Sequence, residues 1–130
     1  MDVFTSYFYQ IRFFKPHMIP FSTAVWDPKW FHEFQDQDHF FLDKRGVVNG
    51  FRAPILAPGK ETEGTCAGAN GSARGCNHSP ADCLFLRLYR EQLSKVDCSK
   101  FMGSILGLCE EYAKLQGLTE KPVPVFIVHE

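Results

Sequence analysis

Apolar residues change their spacing along the chain, and the change predicts where strands and helices lie. Segments 3–9 and 17–25 are rich in β-branched and aromatic residues, and in the second of these larger apolar side chains alternate with smaller or polar ones. Both patterns are typical of strands. Segment 122–129 is an almost continuous apolar run, which is typical of a strand covered on both faces of a parallel sheet.

Helical spacing dominates the second half. Ser79 followed by Pro80 marks the start of a helix that we expect to end near Lys95. A second helix is predicted from Ser99 to Gln116, with Gly117 placed to end it. Apolar residues at helical spacing give this helix one stripe that we predict is core: Phe101, Ile105, Leu108, Tyr112 and Leu115. The order of elements predicts an α/β protein with a small, mostly parallel sheet and two long helices in its second half.

Three local signals make further predictions in the first half. Asp27 before Pro28 predicts the start of a short helix. Pro20 favours an edge position or a strand start, because proline lacks the N–H that a sheet ladder uses. Asn49–Gly50 is a strong turn signal.

Length and composition predict one domain over residues 1–130. The chain is 45% hydrophobic and 22% charged, which are ordinary values for a globular protein. Residues 1–5 lack the charged and apolar regions of a signal peptide, and no apolar run reaches the roughly 18 residues of a membrane span. We therefore expect a cytoplasmic protein without a membrane partner.

The chain contains 13 phenylalanines, most of them before Arg52. An aromatic core is the plainer interpretation, and a platform that stacks nucleic-acid bases is the alternative. A net charge of −1 argues against non-specific nucleic-acid binding, since that depends on neutralising phosphates. A local basic patch stays open, formed by Arg12, Lys15, Lys44, Arg45 and Arg52.

Residues 54–79 form a glycine- and proline-rich segment that we predict to be an irregular loop. A loop of this length is uncommon in a compact domain unless something organises it. Cys66, Cys76 and Cys83 stand at C-x9-C-x6-C, with His78 and Cys98 as further ligand candidates. Thiolates and imidazole suit zinc, and thiolates suit an iron–sulfur cluster. Ordinary thiols and a redox disulfide are the alternatives.

Two polar groupings are further candidate sites. The first follows the rule that ligands of open α/β sheets bind beyond the carboxyl ends of the strands. In it Arg52 would clamp an anion, and His129 or Glu130 would supply acid–base chemistry. Its ligand-binding members would be the hydroxyls of Ser6, Tyr7, Ser22 and Thr23. Alternatively, these hydroxyls cap the backbone locally and Arg52 forms a surface ion pair.

The second grouping lies between two aromatic segments and combines imidazoles with carboxylates: His32, Asp36, Asp38 and His39. Such groups can hold a divalent cation or carry out acid–base chemistry. A solvated loop is the simpler interpretation.

Several short segments resemble the uncharacterised family catalogued as domain of unknown function 488. They read TSYF at 5–8, IPFSTA at 19–24, PKW at 28–30, LDK at 42–44, NGFRA at 49–53, CLFL at 83–86, YREQL at 89–93 and IVHE at 127–130. The resemblance implies a compact α/β protein without an established activity. It also implies a further Cys-containing segment after the last strand. Since the sequence stops at Glu130, we expect either a natural short form or a chain from which that segment has been lost, and an activity of relatives that needs the segment is not expected of these residues.

Three classes of function remain open from the sequence. The first is a metal-binding protein that acts on a nucleotide or nucleic acid. The second is a phage or mobile-element protein that binds and inhibits a host protein, for example one that processes nucleic acid. The third is a small enzyme with its site at the strand ends.

The cysteine spacing makes a direct prediction about metal content. Protein purified anaerobically without a metal-binding tag should carry about one zinc or a few irons per chain by elemental analysis. A Cys66→Ser, Cys76→Ser double variant should lose the metal, because two thiolate ligands are removed. Metal-free wild-type protein would show that these cysteines are plain thiols.

Overall fold

The computed structural model describes residues 4–35, 38, 46–59 and 84–128. Its strands are β1 (Phe4–Ser6), β2 (Met18–Ser22), β3 (Phe31–Glu33), β4 (Val48–Arg52) and β5 (Val123–Ile127). Its long helices are α1 (Leu84–Ser94) and α2 (Cys98–Gln116). Two short 3-10 helices, Phe8–Phe13 and Pro54–Leu56, follow β1 and β4.

All of these strands join one five-stranded sheet in the order β1-β5-β2-β4-β3. Every pairing is parallel. The last strand, β5, therefore lies between β1 and β2, and it hydrogen-bonds to both. The predicted α/β class, with a parallel sheet and two long helices in the second half, is confirmed.

The sheet is covered on both faces, so the fold has three layers. We call the side that α2 covers the α2 face. Its buried residues are Ile19, Phe21, Ile105, Cys109, Tyr112 and Phe126. The opposite face lies under the first 3-10 helix, and its buried residues are Ile11, Phe31, Val48, Val125 and Ile127. β5 supplies residues to both clusters, which explains its continuous apolar run.

α2 begins and ends close to the predicted residues. The side chain of Asp97 accepts a hydrogen bond from the backbone N–H of Lys100 at 3.1 Å and caps the first turn. Gly117 ends the helix in the left-handed conformation, with φ of 63°. The predicted apolar stripe is wrong in part, because Leu108 and Leu115 are exposed and Cys109 is buried instead.

For the part of the chain with described coordinates, no helix combines the length and the apolar character needed to cross a membrane. α1 begins at Leu84 within the described residues, so the predicted start at Ser79 lies outside them.

Three local predictions in the first half are wrong. Asp27 and Pro28 start no helix, and the chain passes from them through a turn into β3. Pro20 lies inside β2, between β5 and β4, because a residue in a parallel strand donates its N–H to only one neighbour and proline costs a single bond. Asn49–Gly50 lies within β4.

Packing, and not a turn, explains the glycine at position 50. A Cβ atom at Gly50 would lie 2.5 Å from the Phe31 ring and 3.1 Å from the carbonyl oxygen of Pro20. Phe31 is itself buried in the core of the opposite face, so its ring has little room to move. Gly50 therefore allows the edge strand β3 to pack closely on β4.

We expect Gly50→Ala to lower the free energy of unfolding by about 1–3 kcal/mol, as overpacked core substitutions do. Gly107→Ala is the matched control, since a Cβ atom there meets nothing within 4 Å and Gly107 lies on an exposed position of α2. This control should raise the free energy of unfolding by about 0.5–1 kcal/mol through helix propensity. Urea denaturation measures both, and equal effects of the two substitutions would contradict the packing explanation.

Candidate functional site

The parallel register brings one row of residues to the carboxyl end of the sheet. Ser6 of β1 pairs with Ile127 of β5, Ile127 pairs with Ser22 of β2, and Ser22 pairs with Arg52 of β4. Residues in one row of a sheet project from the same face, and Ile127 packs into the core of the opposite face. The side chains of Ser22 and Arg52 are therefore neighbours on that face.

Asp27 joins Ser22 and Arg52 into a polar cluster. The hydroxyl of Ser22 donates to Asp27 Oδ1, and Arg52 Nε lies 3.1 Å from Asp27 Oδ2. Ser22 also accepts a hydrogen bond from the backbone N–H of Ala24 at 3.3 Å. The side chain of Asp27 is only 14% exposed, so its carboxylate depends on these two partners. We call Ser22, Asp27 and Arg52 the strand-end cluster.

The guanidinium of Arg52 is held on one side and open on the other. Its side chain is 35% exposed, and Nε is the atom that contacts Asp27. Within the described residues, the two terminal Nη groups have no hydrogen-bond partner. An arginine held in this way presents a planar pair of donors, which is the geometry that carboxylates and phosphates accept.

The segments that follow β2 and β4 leave the sheet towards opposite faces. The segment after β2 reaches Trp30, whose ring lies 6.0 Å from that of Phe8 on the opposite face. The segment after β4 reaches Leu56, whose carbonyl accepts a hydrogen bond from the hydroxyl of Tyr89 on α1. Such divergence marks the usual ligand site of an open α/β sheet.

An apolar cavity of about 390 Å³ opens on the α2 face at this end of the sheet. Its walls come from the ends of β1, β2 and β5, from the second 3-10 helix, and from α1 and α2. Aromatic, aliphatic and sulfur-containing side chains predominate: Leu56, Leu93, Val96, Phe101, Met102 and Phe126. Burial raises the pKa of the Tyr89 hydroxyl, which also lines the cavity.

The other residues of the first predicted polar grouping do not join the strand-end cluster. Thr23 donates its hydroxyl to the carbonyl of Ile127 on the neighbouring strand at 2.8 Å, so it bonds to the backbone across the sheet and not locally. Ser6 stands in the same row, but β5 separates it from Ser22. Tyr7 is exposed and precedes the first 3-10 helix. His129 and Glu130 lie outside the described residues.

The predicted metal ligands Cys66, Cys76, His78 and Cys83 also lie outside the described residues, so the zinc and iron–sulfur predictions stay predictions. Among residues 4–35, 38, 46–59 and 84–128, no group of three or more His, Cys, Asp or Glu side chains could hold a metal ion.

The second polar grouping is described only in part. His32 donates from Nε2 to the carbonyl of Lys29 at 3.0 Å, and Asp38 accepts from the backbone N–H of Gln35 at 2.8 Å. Both contacts are local, as expected of a loop. Asp36 and His39 lie outside the described residues.

Sequence reasoning did not assign Asp27 to the site, and it did not find the cavity. Asp27 before Pro28 predicts a helix cap, whereas the carboxylate of Asp27 in the structure contacts Ser22 of β2 and Arg52 of β4. The one signal for it is chemical, since a carboxylate is the partner that a guanidinium at a strand end suits best.

No family model, curated protein or solved structure matches this chain. The resemblance to domain of unknown function 488 therefore stays a prediction.

Cys109 lies in the buried core of the α2 face and provides a test of that core. Burial, and secondarily the charge of Glu110, raises the pKa of its thiol from 9.0 to about 12. The stabilisation that comes from keeping this thiol protonated is complete below pH 9 and is lost as the pH rises towards 12. The free energy of unfolding should therefore fall less steeply above pH 9 in Cys109→Ala than in the wild type. The free energy of unfolding is measured by urea denaturation at several pH values from 8 to 11. An equal decrease with pH in both proteins would contradict the raised pKa of Cys109.

Proposed function

We propose that this protein binds a small anionic ligand, one that carries a phosphate or a carboxylate, against Arg52 at the carboxyl ends of β2 and β4. The observation that carries the proposal is the guanidinium of Arg52, fixed through Nε by Asp27 and without a partner at either Nη among the described residues. A nucleotide belongs to this ligand class.

Asp27 has two opposite effects on such a site. Its carboxylate offsets the positive charge of Arg52 and so weakens long-range attraction of an anion. It also fixes the plane of the guanidinium, and the hydrogen bond from Ser22 fixes the carboxylate in turn. Ordering a side chain on binding costs free energy. A guanidinium that is already held in place loses less conformational entropy when the anion binds.

The setting of Arg52 favours a ligand site over a simple surface ion pair. The ion pair lies at the carboxyl edge of a parallel sheet, beside strands whose following segments diverge. Asp27 is mostly buried, whereas exposed ion pairs contribute little and are found anywhere on a surface.

The two other classes of function stay proposals with separate support. Metal binding rests on the spacing of Cys66, Cys76 and Cys83. An interaction protein is favoured by exposed aromatic side chains near the start of the chain, Phe4, Tyr7, Tyr9 and Phe13. Neither class needs the terminal groups of Arg52, so anion binding distinguishes them from the proposed function.

The test is a titration with inorganic phosphate, adenosine monophosphate and acetate at constant ionic strength. We expect at least one anion to raise Tm in a saturable way and to shift the Arg52 side-chain resonances in ¹⁵N-correlated spectra. Arg52→Gln should weaken binding about 10- to 100-fold, because hydrogen bonds to charged groups contribute about 1.5–3 kcal/mol. The affinity of Arg52→Lys should lie between those of the wild type and Arg52→Gln, since lysine keeps the charge and loses the planar pair of donors.

Arg90→Gln is the matched control, because it removes one arginine from an exposed position of α1. It should bind the anions as the wild type does. The ligand-induced change in Tm is compared, and not Tm itself, because Arg52→Gln removes the charged partner of Asp27 and lowers the starting stability. Equal changes in wild type and Arg52→Gln would refute the proposed function.

A further inference from the structure

We propose that the ligand is amphipathic: its anionic group binds Arg52, and an unbranched apolar chain attached to that group occupies the cavity on the α2 face. This inference rests on the proposed function and adds the chemical class of the remainder of the ligand.

The cavity is suited to an apolar chain because the hydroxyls of Thr23 and Tyr89, two of its few polar groups, are already engaged. The hydroxyl of Thr23 donates to the carbonyl of Ile127, and that of Tyr89 donates to the carbonyl of Leu56. The remaining lining is mainly aliphatic, aromatic or thioether. At about 390 Å³ the cavity falls in the range of small-molecule sites. A polar ligand group placed there would lose hydrogen bonds to water without replacing them.

The cavity and Arg52 lie on either side of the same strand ends. Thr23, which lines the cavity, directly follows Ser22 of the strand-end cluster. Leu56, on the cavity wall, lies one short 3-10 helix beyond Arg52. Successive residues of a strand point to opposite faces, so a ligand that crosses the carboxyl edge at β2 meets Arg52 on one face and the cavity on the other.

Charge and apolar area together favour a single amphipathic occupant over two separate ones. A purely apolar molecule would leave the Nη donors of Arg52 unused. An anion without a tail would leave a largely apolar cavity in contact with water. A molecule with both parts satisfies the donors and removes the apolar surface from water.

The experiment measures the affinity of a series of straight-chain carboxylates, from acetate to decanoate, for the full-length protein by calorimetry or by change in Tm. If the tail enters the cavity, each added methylene should raise the affinity about fourfold, which corresponds to about 0.8 kcal/mol per buried methylene. The increase should stop once the cavity is full. Straight-chain alcohols of the same lengths, which lack the anion, should bind more weakly than the matching carboxylates.

Met102→Trp is the cavity-filling variant, because Met102 lines the cavity. In this variant the affinity should increase little with the length of the carboxylate chain, while short carboxylates bind as they do to the wild type. Leu93→Phe, at a second lining residue, serves the same purpose if the tryptophan variant does not fold. Leu115→Trp, at an exposed position of α2 outside the cavity, is the control and should keep the full dependence.

The outcomes separate the two proposals. If short carboxylates bind through Arg52 but added methylenes bring no gain, the amphipathic ligand is refuted and the proposed function stands. The same conclusion follows if folded Met102→Trp and Leu93→Phe keep the full dependence on chain length. If no carboxylate or phosphate depends on Arg52, the proposed function fails and this inference fails with it.

Discussion

The pairing of β5 with both β1 and β2 is the constraint on which the rest of the structure depends. Among the described strands, β1 is joined to the sheet through β5 alone, with Phe4 paired to Val125 and Ser6 to Ile127. The same strand contributes to both hydrophobic clusters, through Phe126 on the α2 face and through Val125 and Ile127 on the opposite face. β5 is thus buried on both faces and hydrogen-bonded on both edges, so it connects β1, β2 and the hydrophobic clusters on the two faces of the sheet.

The candidate site depends on the same strand. The carbonyl of Ile127 accepts the hydroxyl and the backbone N–H of Thr23, which fixes the point where the chain leaves β2. That exit leads the chain to Asp27, whose carboxylate then reaches back to Arg52 on β4. The geometry of the guanidinium is thus set by backbone pairing two strands away. A polar cluster positioned by a sheet is more precise than one carried on a free loop.

The sequence predicted the elements with strong periodicity and missed those defined by long-range packing. α2 and β5 were predicted closely because a capping residue, a terminal glycine and a continuous apolar run act locally. β3 was not predicted, and Asn49–Gly50 was interpreted as a turn, because the close contact between Gly50 and Phe31 joins residues that are distant in sequence. Leu108 and Leu115 are exposed for a similar reason: packing of α2 against the sheet, and not helical spacing alone, determines which side chains of α2 are buried.

In the candidate site, too, some features follow from local sequence pattern and others depend on long-range packing. The alternating pattern over 17–25 predicts that Ser22 lies near the end of a strand. Arg52 belongs to the predicted site because of its anion-binding chemistry, since no strand is predicted over residues 48–52. Their partnership with Asp27 and the cavity beside them depend on strand order. Strand order cannot be read from local pattern, because any order of five parallel strands satisfies the same periodicities.

The position of β5 has a consequence for biosynthesis. The strand that fills the gap between β1 and β2 is separated from them by about a hundred residues of chain, so the native sheet cannot close until residues 123–127 have left the ribosome. Parallel pairing over such separations is slow, and until then the facing edges of β1 and β2 are open to other strands. Chaperones that shield nascent β-edges should therefore matter more for this chain than its small size suggests.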